Sequence, residues 1–504
     1  MTEALQKKLD FVKKTLHDVE SYEHACRVLN FDQETICPPD GMEEQGEISA
    51  FLSNKAFELR KQQQFTDAGE YLYLHKDELE DPLDRILAGD LHRSYFKTKN
   101  ITPEMDHRFS LAYNRAFVNW VTAKQQSDYT IFAPSLKEIR DIELKKISLR
   151  ENRLPDRYDN LIDDYERGIT TKDLDGIFET CKKRLVPLLK KIKESRKTIR
   201  TDFLNRTVTD EQQKQMAQFL LEILGFDFKR GSFTTTEHPF TDGLGCNDIR
   251  VTTHYYPVQF ASSMFSIIHE CGHALFEMNQ PQKDWTHYIN GDKTMGMHES
   301  VSRFYENRIG RSKEFINFIY AKTKQIFPQV LHDVSTQELY EALNIVRPSL
   351  IRTEADEFTY TLHIIIRYEL EKLIVNGNAE IGKLPGLWND AYEKYLGIRP
   401  QNDRDGILQD VHWSSGFGYF STYALGNMYN AMYYDTMCRS FDVNQAVSTG
   451  NFAKINGWMK DHVWKQADYE TPKKWIHEIT GCDFTAVPYL DYLERKYTVL
   501  YDIG

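Results

Sequence analysis

Cysteine is sparse here and not patterned for pairing. Seven occur in 504 residues, an odd number, and Cys26, Cys37, Cys181, Cys246, Cys271, Cys438 and Cys482 form no CxxC pair. A disulfide framework is therefore excluded, and reduced thiols in a cytoplasmic protein are expected. No uninterrupted apolar run of 18 residues occurs, so no membrane span is expected. The opening stretch MTEALQKKLDFVKKTL carries charges where a secretory signal needs an apolar core. Basic excess is lacking too: 63 Lys and Arg against 75 Asp and Glu give a net charge of −12. Such a chain repels phosphate backbones and anionic lipid, so neither nucleic acid nor membrane is an expected partner. Local basic clusters do exist, notably residues 190–200 (KKIKESRKTIR), which reads as the solvated face of a helix. Tandem repeats, Pro/Gly/Ser linkers and low-complexity tracts are also missing, which predicts one continuous body.

What is present is apolar material for a large core, 41% hydrophobic and 13% aromatic, arranged mostly at helical spacing. Amphipathic helices are predicted over Glu3 to Leu29, Met42 to Arg60, Glu104 to Lys124, Leu136 to Leu149 and Lys172 to Arg200. The fold class expected is all-α (mainly α). One region departs from it: Gly231 to Pro257, rich in Thr, Tyr and Gly, predicts two or three short strands with a Gly243/Gly245 turn. That small sheet offers an edge along which an extended peptide can lie as an added strand.

The sheet region leads into His269-Glu270-Cys271-Gly272-His273, an H-E-x-x-H motif in the apolar stretch Phe260 to Phe276. Residues four apart share one helix face, about 6 Å apart along the axis, so both imidazoles can bind one Zn²⁺. Glu270, about 100° further round, reaches a water beside the ion rather than the ion itself. Cys271 points away from that face and reads as packing. A catalytic zinc wants a third protein ligand and one open position. Glu299, 26 residues past His273 at the start of another predicted helix, is favoured, and His298 is the competing candidate. Glu306 reads as a supporting or surface acid. In this arrangement the ion lowers the pKa of water toward roughly 7, and Glu270 acts as general base and then as proton donor to the leaving amine.

Further blocks resemble the carboxypeptidase Taq (thermostable carboxypeptidase) family of HEXXH zinc metallocarboxypeptidases. These are Phe31 to Thr35 (FDQET), His238-Pro239-Phe240, Asp248 to Thr252 (DIRVT), His269 to Glu277, Glu299 to Asn307, Ile351 to Glu357 (IRTEADE), Gly406 to Trp413 (GILQDVHW) and Gly418 to Tyr423, in order from about residue 30 to 430. Phe31 replaces a usual Trp, Ser421 a common Pro and Val301 a frequent Gln, and none of these touches a ligand candidate or Glu270. The resemblance implies a large helical body with a deep central groove and the metal at its floor. It implies one catalytic domain over residues 1–504, two helical lobes flanking the groove with no separable linker. It also implies a homodimer that removes single carboxy-terminal residues, with zinc as cofactor and cobalt able to substitute.

Such an enzyme must recognise a free α-carboxylate about one residue beyond the metal. Arg352 is the first candidate, since a guanidinium grips a carboxylate bidentately. Its alternative is a structural pairing with Asp356 or Glu357. Tyr423 and His238 are candidate donors to the carboxylate or oxyanion. His412 is either a donor or a core histidine, and Arg250 is a weaker candidate with a pairing to Asp248 or Asp410 as its alternative. Tyr419, Phe420, Tyr423 and Tyr429 read as core and groove wall. Two other functions fit parts of the pattern: a zinc oligo-endopeptidase, and a catalytically dead helical scaffold.

Overall fold

The computed structural model describes residues 1–282, 286–289, 294–466 and 469–504. Among them, helices α1 (Glu3–Thr35), α2 (Met42–Arg60), α3 (Gln63–Leu74), α4 (Pro82–Thr98), α5 (Pro103–Gln126), α6 (Tyr129–Leu149), α7 (Arg157–Ile162), α8 (Thr171–Glu194) and α9 (Asp210–Leu224) precede a small sheet. After the sheet come α10 (Phe260–Met278), α11 (Met295–Arg303), α12 (Lys313–Ile326), α13 (Pro328–Leu331), α14 (Thr336–Leu343), α15 (Tyr360–Val375), α16 (Leu384–Leu396) and α17 (Ser421–Ser440). The chain closes with α18 (Val443–Ser448), α19 (Phe452–His462), α20 (Pro472–Thr480) and α21 (Val487–Leu500). The fold is mainly α with a small sheet beside the motif helix, as expected. No described helix is long and apolar enough to cross a membrane.

Local chemistry explains most of the starts. Thr2, Thr102, Thr294 and Ser312 each accept a backbone N–H three residues on, satisfying an orphan donor of the first turn. Thr170 and Asp173 make a full capping box at the head of α8. The predicted helix over 172–200 overruns, because α8 stops at Glu194 and Ser195 is extended. The next residues serve tertiary partners instead: Ser195 Oγ donates to the Tyr501 carbonyl at 2.7 Å, Lys197 pairs with Glu341 at 2.9 Å and Arg200 with Asp333 at 2.7 Å. At this end of the basic run the charges are matched to acids of the same chain.

The sheet has β3 (Asp248–Thr253) in the middle, parallel to β1 (Gly231–Thr235) and antiparallel to β2 (Thr241–Gly245). The expected Gly243/Gly245 turn is not there. Both glycines lie in β2 around an irregularity in register, and Cys246-Asn247 makes the turn. Leu244, Ile249 and Val251 are buried in the sheet, which packs against α10. β2 is an edge strand, and α1 crosses it where His24 Nδ1 lies 2.8 Å from the Leu244 carbonyl oxygen. The end of α1, beyond its predicted Leu29, carries Phe31 onto Phe240 with ring centroids 5.8 Å apart.

Among the described residues three apolar clusters result, the smallest of them Phe109, Ala112 and Ile142 between α5 and α6. Another small one joins α1, α3 and α4 through Leu5, Leu9, Val12, Phe65, Leu72 and Leu87. The large one runs from Ala116 to Tyr501 and includes α10, α11 and α17. The accessible area, 22429 Å², exceeds by about a sixth the roughly 19,000 Å² expected of a compact chain this size. Two glycines set the close approach on which the functional site depends. A Cβ at Gly272 would lie 2.6 Å from Ser302 Cα, and one at Gly426 would lie 3.0 Å from Glu299 Cγ. Helix α11 is thus held between α10 and α17, with no room for a Cβ at Gly272 and little at Gly426.

Candidate metal centre

Helix α10 is apolar nearly all round, so its few polar side chains stand out as a set. His269 and His273 lie one turn apart with ring centroids 4.9 Å apart at 78°. Their Nε2 atoms converge on Glu299 Oε2 of α11, at 3.7 Å and 3.6 Å respectively. Among the described residues, ligand atoms of these three lie within 4.8 Å of one another. Three donors on a tetrahedron with bonds of about 2.0–2.1 Å stand roughly 3.3–3.4 Å apart, so the trio fits a zinc-sized ion with one corner open. Among the described residues, Asp81, Asp84 and His287 form a second cluster of metal-ligand type, but Lys13 already meets Asp84 at 2.6 Å.

The charge balance also suits a cation. Glu299 Oε1 accepts from Arg303 Nε at 2.7 Å, which leaves Oε2 facing the histidines. Glu306 accepts from His269 Nδ1 at 2.9 Å and is gripped by Arg303 at 3.1 Å and Arg311 at 3.3 Å. With Glu270, three carboxylates face two guanidiniums. Burial pushes the Glu299 and Glu306 carboxyls up, yet Arg303 and the imidazoles outweigh it and hold both well below the usual carboxylate range. For His269 burial favours the neutral ring, but Glu299, Glu306 and Glu270 raise its pKa above the ordinary value.

His298 lies behind His273, on its Nδ1 side, and is not among the converging ligand atoms. Its Nδ1 lies 2.5 Å from His273 Nδ1, and its Nε2 lies 2.6 Å from Glu277 Oε1. Cys271 is fully buried in the large apolar core and is not among the converging ligand atoms. Glu270 is 7% exposed. The Thr241 hydroxyl of β2 lies 2.7 Å from Glu270 Oε2 and 3.0 Å from the Glu270 carbonyl oxygen. Thr241 was invisible in sequence because a β-branched residue in a strand is unremarkable. Arg303 was legible in principle, four residues after Glu299 on one helix face. Glu306 is delivered by a π-helical stretch, Phe304–Gly310, that continues α11; such widened turns recur at functional sites.

The substrate-binding candidates divide. Arg352, Tyr423 and His412 come together. Arg352 is buried, its guanidinium carbon 5.0 Å from the centre of the Tyr423 ring, and the Tyr423 hydroxyl lies 3.4 Å from His412 Nε2. Arg352 Nη1 donates to the Tyr360 hydroxyl at 3.2 Å, and Arg303 sits 4.4 Å above the Tyr360 ring. One tyrosine therefore separates the arginine of Glu299 from Arg352. The ion-pair partner of Arg352 is neither Asp356 nor Glu357 but Asp410, at 2.9 Å, which Arg367 also engages at 2.5 Å. Two buried guanidiniums thus share one carboxylate. Glu371, which also feels Arg367, is already bonded by Tyr158, Trp413 and the Gly418 N–H. Arg250 pairs with Asp248 at 3.0 Å and sits over Phe31, apart from this group. His238 is exposed on the β1–β2 connection, three residues before Thr241.

Burial pushes His412 down to about 4, with Arg352 and Arg367 adding to it against Asp410. Its folded pKa lies below the unfolded value of about 6.5, so the stability tied to its neutral form is full above pH 6.5 and drains as pH falls toward 4. Between pH 7 and 4.5, denaturant unfolding should show the parent losing about 2–3 kcal/mol more than His412→Gln. Parallel pH curves for the two proteins would remove this account of His412.

Comparison with known proteins gives the family and the fold. The sequence profile of the carboxypeptidase Taq (M32) metallopeptidase family matches residues 11–497. Carboxypeptidase 1 of Bacillus subtilis is 35% identical over 495 residues, covering 98% of this chain and 97% of that protein. Thermostable carboxypeptidase 1 of Pyrococcus furiosus is 34% identical over 94% of this chain and 95% of its own. The crystal structure of the M32 carboxypeptidase from Deinococcus radiodurans superposes with a TM-score of 0.94 at 30% identity, covering 99% of this chain and all of that one.

Proposed function

The chain belongs to the carboxypeptidase Taq (M32) metallopeptidase family, and from that premise we propose that it removes single carboxy-terminal residues from peptides at a zinc ion held by His269, His273 and Glu299. Membership makes it a metallocarboxypeptidase with a metal cofactor and peptide substrates. The choice of zinc, with cobalt able to substitute, the ligand set and the residue roles are our reading. The observation that carries it is the meeting of two Nε2 atoms and one carboxylate oxygen, 3.6–3.7 Å from each nitrogen, one helical position from a buried Glu270.

When bound, the ion supplies Lewis acidity, bringing the pKa of a water from about 15.7 toward roughly 7 and polarising the scissile carbonyl. Thr241 pins Glu270 Oε2 by hydrogen bonding, which leaves Oε1 to take the proton of the attacking water and return it to the departing amine. Arg352 binds the substrate α-carboxylate, supported by the surplus positive charge of the Arg352–Asp410–Arg367 group. Burial raises the pKa of the Tyr423 phenol, so it stays protonated and donates to the carboxylate or the oxyanion. His412 and, further out, His238 and Arg250 shape the remaining substrate contacts. We read residues 1–504 as one catalytic domain of two helical lobes flanking a groove, for which the support is the family match over residues 11–497 and the large apolar core that runs from Ala116 to Tyr501. The proposal extends to a homodimer in the cytoplasm, for which the support is the resemblance and seven free thiols.

Metal analysis paired with mass spectrometry of a mixed peptide pool tests the reading. Stepwise shortening from the carboxy end, stopped by chelator and restored by one equivalent of zinc per chain, is the expected result. Internal cuts, or equal cleavage of amidated peptides, would favour an oligo-endopeptidase instead. Metal bound with no hydrolysis would leave a helical scaffold.

A further inference from the structure

The two imidazoles of the centre are backed differently. His269 Nδ1 meets a carboxylate directly, Glu306 at 2.9 Å. His273 Nδ1 meets another imidazole nitrogen, His298 Nδ1 at 2.5 Å, and the far side of that ring meets Glu277 Oε1 at 2.6 Å. A nitrogen–nitrogen hydrogen bond needs one proton and one lone pair. A histidine that offers Nε2 to a cation is neutral and carries its proton on Nδ1. His273 is then the donor, His298 Nδ1 is the acceptor, and the single proton of His298 lies on Nε2, aimed at Glu277. One protonation pattern satisfies all three residues.

The relay is also mechanically closed. Glu277 is on α10, one turn past His273, while His298 is on α11, immediately before Glu299. The hydrogen bonds therefore leave α10, pass through α11 and return to α10. The His298 ring is held by its neighbours, edge-on to Phe276 at 5.0 Å and tilted on His273 at 4.6 Å. Glycine at position 243 gives Glu277 its room, since a Cβ there would lie 3.3 Å from Glu277 Oε2.

We propose that His298 and Glu277 form a positioning relay that fixes the tautomer and ring angle of His273 and staples the helix bearing Glu299 to the helix bearing the histidines. The inference rests on His269, His273 and Glu299 being the ligands. Both relay residues act through His273, so the effect belongs in metal affinity and ligand field rather than only in turnover. Outer partners of this kind are worth about 10–100-fold in metal affinity.

The test compares the full-length parent with His298→Phe, His298→Asn and Glu277→Gln. Zinc dissociation constants come from competition with a chromophoric chelator, visible absorption is recorded for the cobalt-loaded proteins, and thermal unfolding is followed in the metal-free ones. His298→Phe should bind zinc about 10–100-fold more weakly, with shifted cobalt bands. His298→Asn, whose Oδ1 can accept from His273 but whose amide cannot reach Glu277, should fall between Phe and the parent. Glu277→Gln should weaken binding by a smaller factor. If the Phe variant fails to fold, the Asn and Gln variants decide. Folded variants with parental affinity and unchanged cobalt bands would overturn the relay. A parent that takes up no stoichiometric zinc would overturn the ligand set beneath it, a separable result.

Discussion

Replacing Glu270 by Gln leaves the affinity for zinc within a few-fold of the parent and lowers kcat by about 10²–10⁴. The substitution is nearly isosteric, and the site is built to accept it. Glu270 is 7% exposed, with Oε2 held by the Thr241 hydroxyl at 2.7 Å. An amide oxygen can keep that bond. It cannot take a proton from water, so the loss falls on the chemical step and not on KM. Direct metal titration and steady-state kinetics on a short free-acid peptide measure the two quantities separately. Turnover within tenfold of the parent would remove the general-base role. Loss of zinc together with activity would make Glu270 a ligand or a support, contrary to the geometry in which Glu299, not Glu270, completes the trio.

Arg352→Ala collapses discrimination in favour of a free carboxy-terminus. Arg352 is 5% exposed and shares Asp410 with Arg367, so a substrate carboxylate would enter a group already short of negative charge. Truncating one partner of a buried, hydrogen-bonded charge pair costs about 2–5 kcal/mol, or about thirty- to several-thousand-fold in kcat/KM for free-acid peptides. Amidated analogues, which never paired with the guanidinium, should lose far less, so the ratio between the two substrate classes falls toward one. The variant should still fold, because Arg367 continues to neutralise Asp410, and thermal unfolding reports any stability loss. Equal damage to both substrate classes would make Arg352 structural, a part of the Asp410 cluster and nothing more.

Much of the fold was legible because its signals are local. The boundaries of α2 matched, and α1, α5 and α6 were located from spacing alone. The overrun of α8 has a tertiary cause: residues 195–200 look helical in pattern, but Ser195, Lys197 and Arg200 bond to distant partners that favour an extended path. The Gly243/Gly245 turn failed for a similar reason. A two-glycine stretch resembles a turn, yet Gly243 is used to give Glu277 room inside a strand.

At the site, the helical repeat alone put His269, Glu270 and His273 on adjoining faces of one helix, since four residues make about one turn. The ordered motif blocks likewise identified the family before any coordinates. Spacing could not choose between neighbours. Which of Glu299 and His298 meets both Nε2 atoms depends on how α11 packs: Gly272 and Gly426 give it room to approach, and Oε2 of Glu299 lies within 3.7 Å of both rings. The partner of Arg352 was equally out of reach, since Asp410 is 58 residues away and meets it only through packing. A helix's own geometry is written in its repeat, whereas contacts between helices depend on backbone clearance and buried charge, which form only when the whole chain has closed on itself.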